Sequence, residues 1–374
     1  MLMTSILSLD QISGGELVNF GGKTIALAKL SSLGYRLPRS LAIPCHFYQR
    51  YLHETGLGDR LTMELGRKVF SQMRWEELWD ASLRIRNLFL MTPLSKKLET
   101  EISTALLNYF ADHPLVIRSS APEEDSNSCS FAGLHDSFVN IRTLEEQLLA
   151  IRKVWASLWS DRALLYRQEL KLDVANSSMA VLVQELIAGE KSGVAFSVAP
   201  NASDLLTIEA VWGLNQGLVD GSVEPDCWSL DRQTLALRDY RRAEKHHKLM
   251  AQDGGLQKVS LSTVEQKQLV LTDTELSRVA KIALALEKEF DCPQDCEWTC
   301  HEGQFVLLQA RPITSLQQKD PRGWYFNLHR SLDNLQSLQH RIEKEIIPGM
   351  EADAAKFASI NLADLSDTEL LADL

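Results

Sequence analysis

Two rhythms divide this chain. Up to about residue 178 apolar positions recur mostly at three- and four-residue intervals, the spacing of a helix face; from Met179 they run in short stretches broken by glycine, the pattern of strands and hairpins. In the first part Gly21-Gly22-Lys23 leads into Ile25, Leu27, Leu30 and Leu33, with Gly34 placed as a C-terminal stop, so a glycine turn should feed a short helix. LAIP, after Pro38, reads as a short strand, and helical spacing resumes through Tyr51. Residues from about 60 to 108 read as amphipathic helix, with Trp75, Trp79, Leu83 and Leu88 expected in the core. His113-Pro114 breaks that run before a buried strand, Leu115-Val116-Ile117, which ends in Arg118-Ser119-Ser120. The polar stretch APEEDSNSCSFAG reads as a loop, Phe138 to Ile141 as a further strand, and the residues through Trp155, Leu158, Trp159 and Leu165 as a long helix.

In the second part AVLVQELI, SGVAFSVAP, DLLTIEAVWG and WSLDRQTLALRDY supply strands of an antiparallel or mixed sheet. Residues 240–257 are basic and polar and are expected on the surface. A helix over roughly 272–290 leads to two more strands, Asp295-Cys296-Glu297-Trp298 and QFVLLQARPIT, turned by His301-Glu302-Gly303. The tail changes character: Leu332, Leu335, Leu338, Ile342 and Ile346 form a helical stripe that should stop near Pro348-Gly349, and Ser366 with Glu369 forms a capping box for a last piece.

With 374 residues, 45% of them hydrophobic, the chain can bury more than one core. Its formal charge of -11, from 50 acidic against 39 basic residues, repels phosphate backbones, so neither nucleic acid nor an anionic membrane surface is an expected partner. No apolar run approaches the roughly 20 residues of a membrane span, and the cytoplasm is the expected compartment. Six cysteines are too sparse for a disulfide scaffold. Cys292, Cys296 and Cys300, with His301 adjacent, raise a zinc reading, but Pro293 and the alternation around Glu297 favour a turn entering a strand with ordinary reduced thiols.

Four places carry candidate chemistry. Gly21-Gly22-Lys23 has glycines that would let backbone amides approach an anion and a lysine at a helix mouth, although the full Walker form is absent. Arg118 at the end of an apolar strand could clamp phosphate oxygens, or form an internal salt bridge to Glu124 or Asp125. Alternation puts Asp295 and Glu297 on one strand face, and Gln309 and Arg311 likewise on the next strand. Two carboxylates, an amide oxygen and an arginine fit a Mg-nucleotide as well as a buried salt bridge would, with Asp295 and Gln309 surplus to the latter. Gln184-Glu185, after the apolar run VLV, could offer backbone groups to an adenine ring.

Taken in order, GGKTIALAKL, VIRSSAPEEDSNSCSFAGLHDSFVNI, ASLWSDRALLYR, VLVQELIAGEKSGVAFS, EAVWGLNQGLVDGSVEPD and DCEWTCHEGQFVLLQARPIT cover about residues 11–316. Together they resemble the N-terminal ATP-binding portion shared by phosphoenolpyruvate synthase, pyruvate phosphate dikinase and rifampin phosphotransferase. The resemblance implies an α+β, ATP-grasp-like fold, with two lobes around a nucleotide cleft and a C-terminal helical extension. It divides the chain into an N-terminal lobe of glycine turn and helices (1–110), a phosphate-loop part of that lobe (111–178), a C-terminal lobe (179–320) and a helical linker toward a further domain (321–374). It implies ATP and Mg2+ as cofactors, with Lys23, Arg118 and Arg311 as catalytic cations. Glu297 and Gln309 would be the metal ligands, and Asp295 joins them among the nucleotide and metal residues. The loop with Glu124, Asp125, Ser130 and Gly133 would cover the phosphates, and Gln184, Glu185 and Leu186 would form the adenine hinge.

In such enzymes the phosphoryl group, commonly pyrophosphoryl with AMP released, passes to a histidine on a separate swivelling domain and then to a small-molecule acceptor. That histidine's glycine-rich segment ending in Ser-His is absent from these residues, so the histidine domain is expected as a partner in cis or in trans, with the chain a part of a longer polypeptide. One departure stands out: Gly213-Leu214-Asn215-Gln216 replaces the family's Gly-Leu-Gly-Glu, putting Gln216 where a carboxylate is expected near the ribose or metal. It leaves open a nucleotide-binding regulatory module with little or no transfer.

Overall fold

Proline, glycine and small polar caps set the element boundaries in the computed structural model, which describes residues 5–12, 19–122, 125–126, 129–130, 134–172, 174, 177–199, 202–252, 255–313 and 342–351. The first stretch runs β1 (Leu7–Ser8), α1 (Gly22–Ser32) and β2 (Ser40–Ile43), followed by α2 (Cys45–Glu54), α3 (Leu57–Leu65), α4 (Trp75–Met91) and α5 (Lys96–Phe110). It continues through β3 (Leu115–Ser120), the short hairpin β4 (Asp125–Ser126) and β5 (Cys129–Ser130), β6 (Ser137–Ile141), α6 (Leu144–Ser157), α7 (Asp161–Glu169) and β7 (Ala180–Glu185). Ser95 caps α5 by accepting from the Leu98 amide, and α6 opens with a full capping box of Thr143 and Glu146.

Beyond β7 come β8 (Lys191–Phe196), β9 (Leu205–Trp212), α8 (Gln216–Val219), β10 (Asp226–Asp231), β11 (Leu237–Arg241), the hairpin β12 (His247–Gln252) and β13 (Gly255–Ser260), α9 (Thr263–Lys267), α10 (Asp273–Phe290), β14 (Gln294–His301) and β15 (Gln304–Pro312). Two antiparallel sheets result, ordered β1-β2-β7-β3-β6 and β11-β10-β9-β8-β14-β15. The α+β class read from the sequence is therefore observed. β7, which the sequence groups with the strands that follow it, lies instead in the middle of the first sheet, between β2 and β3.

Both faces of β2, β3 and β7 are buried, which explains why LAI, LVI and AVLV read as unbroken apolar runs. Leu41, Ile43, Ile117, Val181 and Val183 pack on one side against α2 to α7, around Tyr51, Phe89 and Trp155. Ala42 and Leu182, the residues between them, enter a second core with Leu27 and Leu30 of α1, Val279 and Ala283 of α10, and Cys296 and Trp298 of β14. Cys296 and Cys300 are thus core thiols; burial pushes both upward in pKa, and like-charged carboxylates add to the effect.

Three expectations are corrected. On α4 the buried face is Leu78, Ala81, Ser82, Ile85 and Phe89, so Trp75, Trp79 and Leu83 are about half exposed and Leu88 only packs at the edge. Two apolar stripes compete on that helix, and the larger side chains lie on the outer one. The segment 240–257 is not simply a solvated surface: it contains a hairpin, and Lys245 is buried, its Nζ 2.6 Å from both carboxylate oxygens of Asp226. Helix also continues past Pro348-Gly349 to residue 351.

Residues 1–218 with 223–318 form one compact unit, and residues 219–222 with 319–374 form another, of which 342–351 are described as helical. Among the described residues no helix is long and apolar enough to cross a membrane.

Candidate functional site

β3 delivers three consecutive polar side chains to three different tasks. Leu115 and Ile117 enter the first core, so alternation turns Arg118 to the opposite face. There its Nη1 donates to Glu297 Oε2 at 3.2 Å and to Gln309 Oε1 at 3.1 Å, joining the two sheets. Glu297 and Gln309 are direct cross-strand partners on β14 and β15, and so are Asp295 and Arg311. Arg311 donates from Nε to Asp295 Oδ2 at 2.7 Å, with Nη2 2.6 Å from the same oxygen. The acid, amide and arginine group expected from strand alternation is therefore assembled, with Arg118 over it. Among the described residues Arg118 pairs with Glu297; Glu124 and the side chain of Asp125, considered from sequence, lie outside the described residues.

The two carboxylates respond oppositely to this setting. Burial pushes Glu297 upward, but Arg118, Arg311 and Lys23 together overcome it, and its pKa falls below the ordinary value. Burial dominates at Asp295, raising it against the pull of Arg311, with the negative Glu297 adding to the rise. One carboxylate is thus held ionised in the middle of three cations while its neighbour is less acidic. Arg118 Nε is buried with no hydrogen-bond partner among the described residues, so the guanidinium retains a donor for a ligand.

The next two residues of β3 hold the glycine turn. Ser119 accepts from Lys23 Nζ at its carbonyl (3.3 Å) and hydroxyl (3.2 Å). Ser120 Oγ accepts from the Thr24 amide at 3.2 Å and donates to the Phe20 carbonyl at 2.8 Å. Gly21, at φ +75°, has backbone so close to Ser120 that a Cβ would lie 2.0 Å from its carbonyl oxygen. The Gly22 amide donates to Ala121 O at 3.3 Å. The glycines therefore serve a close approach of α1 to β3, with the amides of Gly22 and Thr24 used internally rather than offered to an anion; Lys23 is the part of this motif whose charge acts on Glu297.

The remaining candidates fall into groups. Gln184 is buried and donates to Ser40 Oγ at 3.3 Å, while the amides of Glu185 and Leu186 donate to the carbonyls of Arg39 and Pro114. The Glu185 carboxylate lies 3.1 Å from His113 Nδ1 and 4.0 Å from Arg39. These amides are committed to the sheet. Asp125 and Ser130 pair across the β4–β5 hairpin, and Gly133 falls outside the described residues. Gln216 opens α8, in a turn seated on β12, where the Leu214 amide donates to Leu249 O at 2.9 Å.

Two residues escaped the sequence reading. Glu209 on β9 lies in one register row with Val194, Glu297 and Gln309, and its neighbours Ile208 and Ala210 enter the second core, so Glu209 is on the same sheet face as Glu297. Alternation inside DLLTIEAVWG was the available signal. Asn215 is buried, and neither amide atom of its side chain has a partner among the described residues. In the sequence Asn215 stands only as part of the Gly213-Leu214-Asn215-Gln216 departure, which says nothing of its burial.

Comparison with known proteins gives this geometry a context. The family model described as "Pyruvate phosphate dikinase, AMP/ATP-binding domain" matches residues 18–325. A probable phosphoenolpyruvate synthase from Methanocaldococcus jannaschii is 33% identical over 327 residues, 84% of this chain and 27% of the relative. A rifampicin phosphotransferase from Bacillus subtilis is 31% identical over 319 residues, 83% of this chain and 36% of the relative. The chain thus spans well under half of the length of these relatives. D-alanine–D-alanine ligase from Helicobacter pylori overlays with TM-score 0.32 and 13% identity over 85% of this chain and 61% of that one, too loose a match to define the architecture.

Proposed function

The chain belongs to the pyruvate phosphate dikinase AMP/ATP-binding family, and from that premise we propose that it binds Mg-ATP at the Arg118 cluster and transfers a pyrophosphoryl group to a histidine on a separate swivelling domain. The observation that carries this reading is the meeting of Arg118 with Glu297 and Gln309 from a different sheet, 3.2 and 3.1 Å away. A salt bridge needs one carboxylate; the amide oxygen of Gln309 and the orphaned Nε of Arg118 have no use in it. An ATP-grasp-like arrangement, with nucleotide between the two sheets, accords with this placement.

The donor set suits magnesium: a carboxylate held ionised and an amide oxygen as its cross-strand partner are the hard oxygens this ion takes. Glu297 and Gln309 would hold it, and when bound it supplies charge neutralisation across the phosphate oxygens. Arg118, drawn from Glu297 toward the phosphates, neutralises charge on the transferred group. Lys23, on α1 and held by Ser119 beside Arg118 on β3, does the same. Arg311, oriented by Asp295 through two contacts to one oxygen, is a fixed cation that needs no reorganisation as charge moves. Attack of the histidine nitrogen on the β-phosphorus breaks its bond to the oxygen shared with the α-phosphorus, and AMP leaves with that electron pair.

Supplying the chain with a phosphohistidine domain of this family, Mg2+ and ATP labelled at the β-phosphorus tests the proposal: AMP release together with labelled histidine is expected, and neither would appear if the reading is wrong. Gln216 motivates the second reading, a regulatory module; tight Mg-ATP binding with no label moved to histidine, even in the full-length protein, selects it.

A further inference from the structure

The β12–β13 hairpin belongs to neither large sheet, yet it is fastened at two places. Midway along β12, Leu249 O accepts from the Leu214 amide at 2.9 Å, and Gly213, at φ +78°, approaches so closely that a Cβ would lie 2.3 Å from that same oxygen. Gly217 packs on the Leu249 side chain, a Cβ there being 3.5 Å from Leu249 Cβ. Leu249 is therefore the seat of the turn that carries Asn215 and Gln216.

At the far end the fastening comes from the first sheet. Asn140 Nδ2 donates to Gln252 O at 2.8 Å and to Gly255 O at 2.7 Å, the two carbonyls flanking the hairpin tip. Arg142 Nε donates to Asn140 Oδ1 at 3.3 Å, which orients the amide so that both of its hydrogens face the hairpin. The backbone is adapted to this task. Between β3 and β6 the pairing passes from Leu115 with Ile141 to Val116 with Val139, so Asn140 is the extra residue of a bulge. Its φ of +62° lies in the left-handed region, where asparagine is among the few side chains that fit. A bulge re-aims a side chain, and here it aims one buried amide at another element's turn.

We infer that Asn140 is a positioning residue: by holding the β12–β13 hairpin at its tip it fixes the Gly213–Gly217 turn, and with it Asn215 and Gln216, at the end of β9, the strand whose Glu209 lies in the register row of Glu297. Gln252 lies three positions beyond Leu249 on β12, a lever of about 10 Å. The unpartnered buried amide of Asn215 gives the turn a reason to be held in place, since a polar group of that kind calls for a ligand. The role in nucleotide binding rests on the proposed function; the mechanical link does not.

The test uses Asn140→Gly, which suits the left-handed backbone and removes only the amide, and Arg142→Ala, which leaves the bulge intact and frees the amide's orientation. Two neutral hydrogen bonds correspond to roughly a tenfold effect. Hydrogen exchange at the Leu214 amide should therefore be about tenfold faster in Asn140→Gly and less accelerated, in the same direction, in Arg142→Ala. With a histidine domain supplied, KM for ATP should rise about tenfold in Asn140→Gly with kcat unchanged. Unchanged Leu214 exchange, with only the melting temperature lowered, overturns the inference and reduces Asn140 to a structural contact. Accelerated Leu214 exchange in a protein whose wild type binds no ATP upholds the link from Asn140 to the turn and instead overturns the nucleotide reading of the site.

Discussion

Replacing Arg118 by methionine separates the structural from the catalytic use of one side chain. At 3.2 Å, with both partners mostly buried, its attraction for Glu297 is about 5 kcal/mol at an effective dielectric constant near 20. Arg311 and Lys23 remain to hold Glu297, so the single replacement should destabilise the fold by about 3 kcal/mol, the lower part of the range for a broken buried pair. The pH dependence has a definite sign. In the wild type the carboxyl is depressed, so its contribution to stability is present above its unfolded pKa of about 4.3 and is lost as pH falls through the folded value.

Without Arg118 burial gains the upper hand, the carboxyl rises, and the mutant gains relative to wild type as pH falls. Urea unfolding near neutral pH and at about pH 5 should show the difference between the two proteins shrinking in acid. Adding Glu297→Gln removes the stranded charge, and the double variant should return to within about 1 kcal/mol of wild type. Phosphoryl transfer, measured as AMP release with a supplied histidine domain, should stay at least about 100-fold down in both variants. Transfer that recovers in step with stability in the double variant would refute the reasoning and leave the pair as a structural cross-link.

Two other substitutions test the frame around the site. Gly21→Ala places a Cβ 2.0 Å from Ser120 O at a φ of +75°, so the approach of α1 to β3 should open and thermal unfolding should show a loss of about 3 kcal/mol. Lys245→Met strands Asp226, which also accepts from the amides of Ala243 and Val270, and urea unfolding should register about 3–5 kcal/mol, largely restored by Asp226→Asn in the same chain.

What could be read in the sequence was what short-range periodicity encodes. Alternation groups Asp295 with Glu297 and Gln309 with Arg311 on their own strands, and the helix read over roughly 272–290 matches α10 closely, but a register shift between Glu297 and Trp298, which a tight turn alone does not predict, is what sets Glu297 opposite Gln309 and Asp295 opposite Arg311. Longer-range facts were not legible. β7 pairs with strands far earlier in the chain, although its neighbours in sequence belong to the other sheet. Lys245 looks like any surface lysine until β10 brings Asp226 beneath it. On α4, hydrophobicity alone favoured the tryptophans, but the buried face of Leu78, Ala81, Ser82, Ile85 and Phe89 is turned from them by roughly a quarter of a turn around the helix. The glycines before Lys23 suggested an anion cradle, whereas their backbone is needed by Ser120, a contact between residues 96 to 100 positions apart in the chain.

The most direct test of the account is a crystal structure of the chain with Mg2+ and a non-hydrolysable ATP analogue. Arg118 should be found on the phosphate oxygens, with the metal on Glu297 and Gln309. Nucleotide bound elsewhere, with the guanidinium still on Glu297, would contradict it.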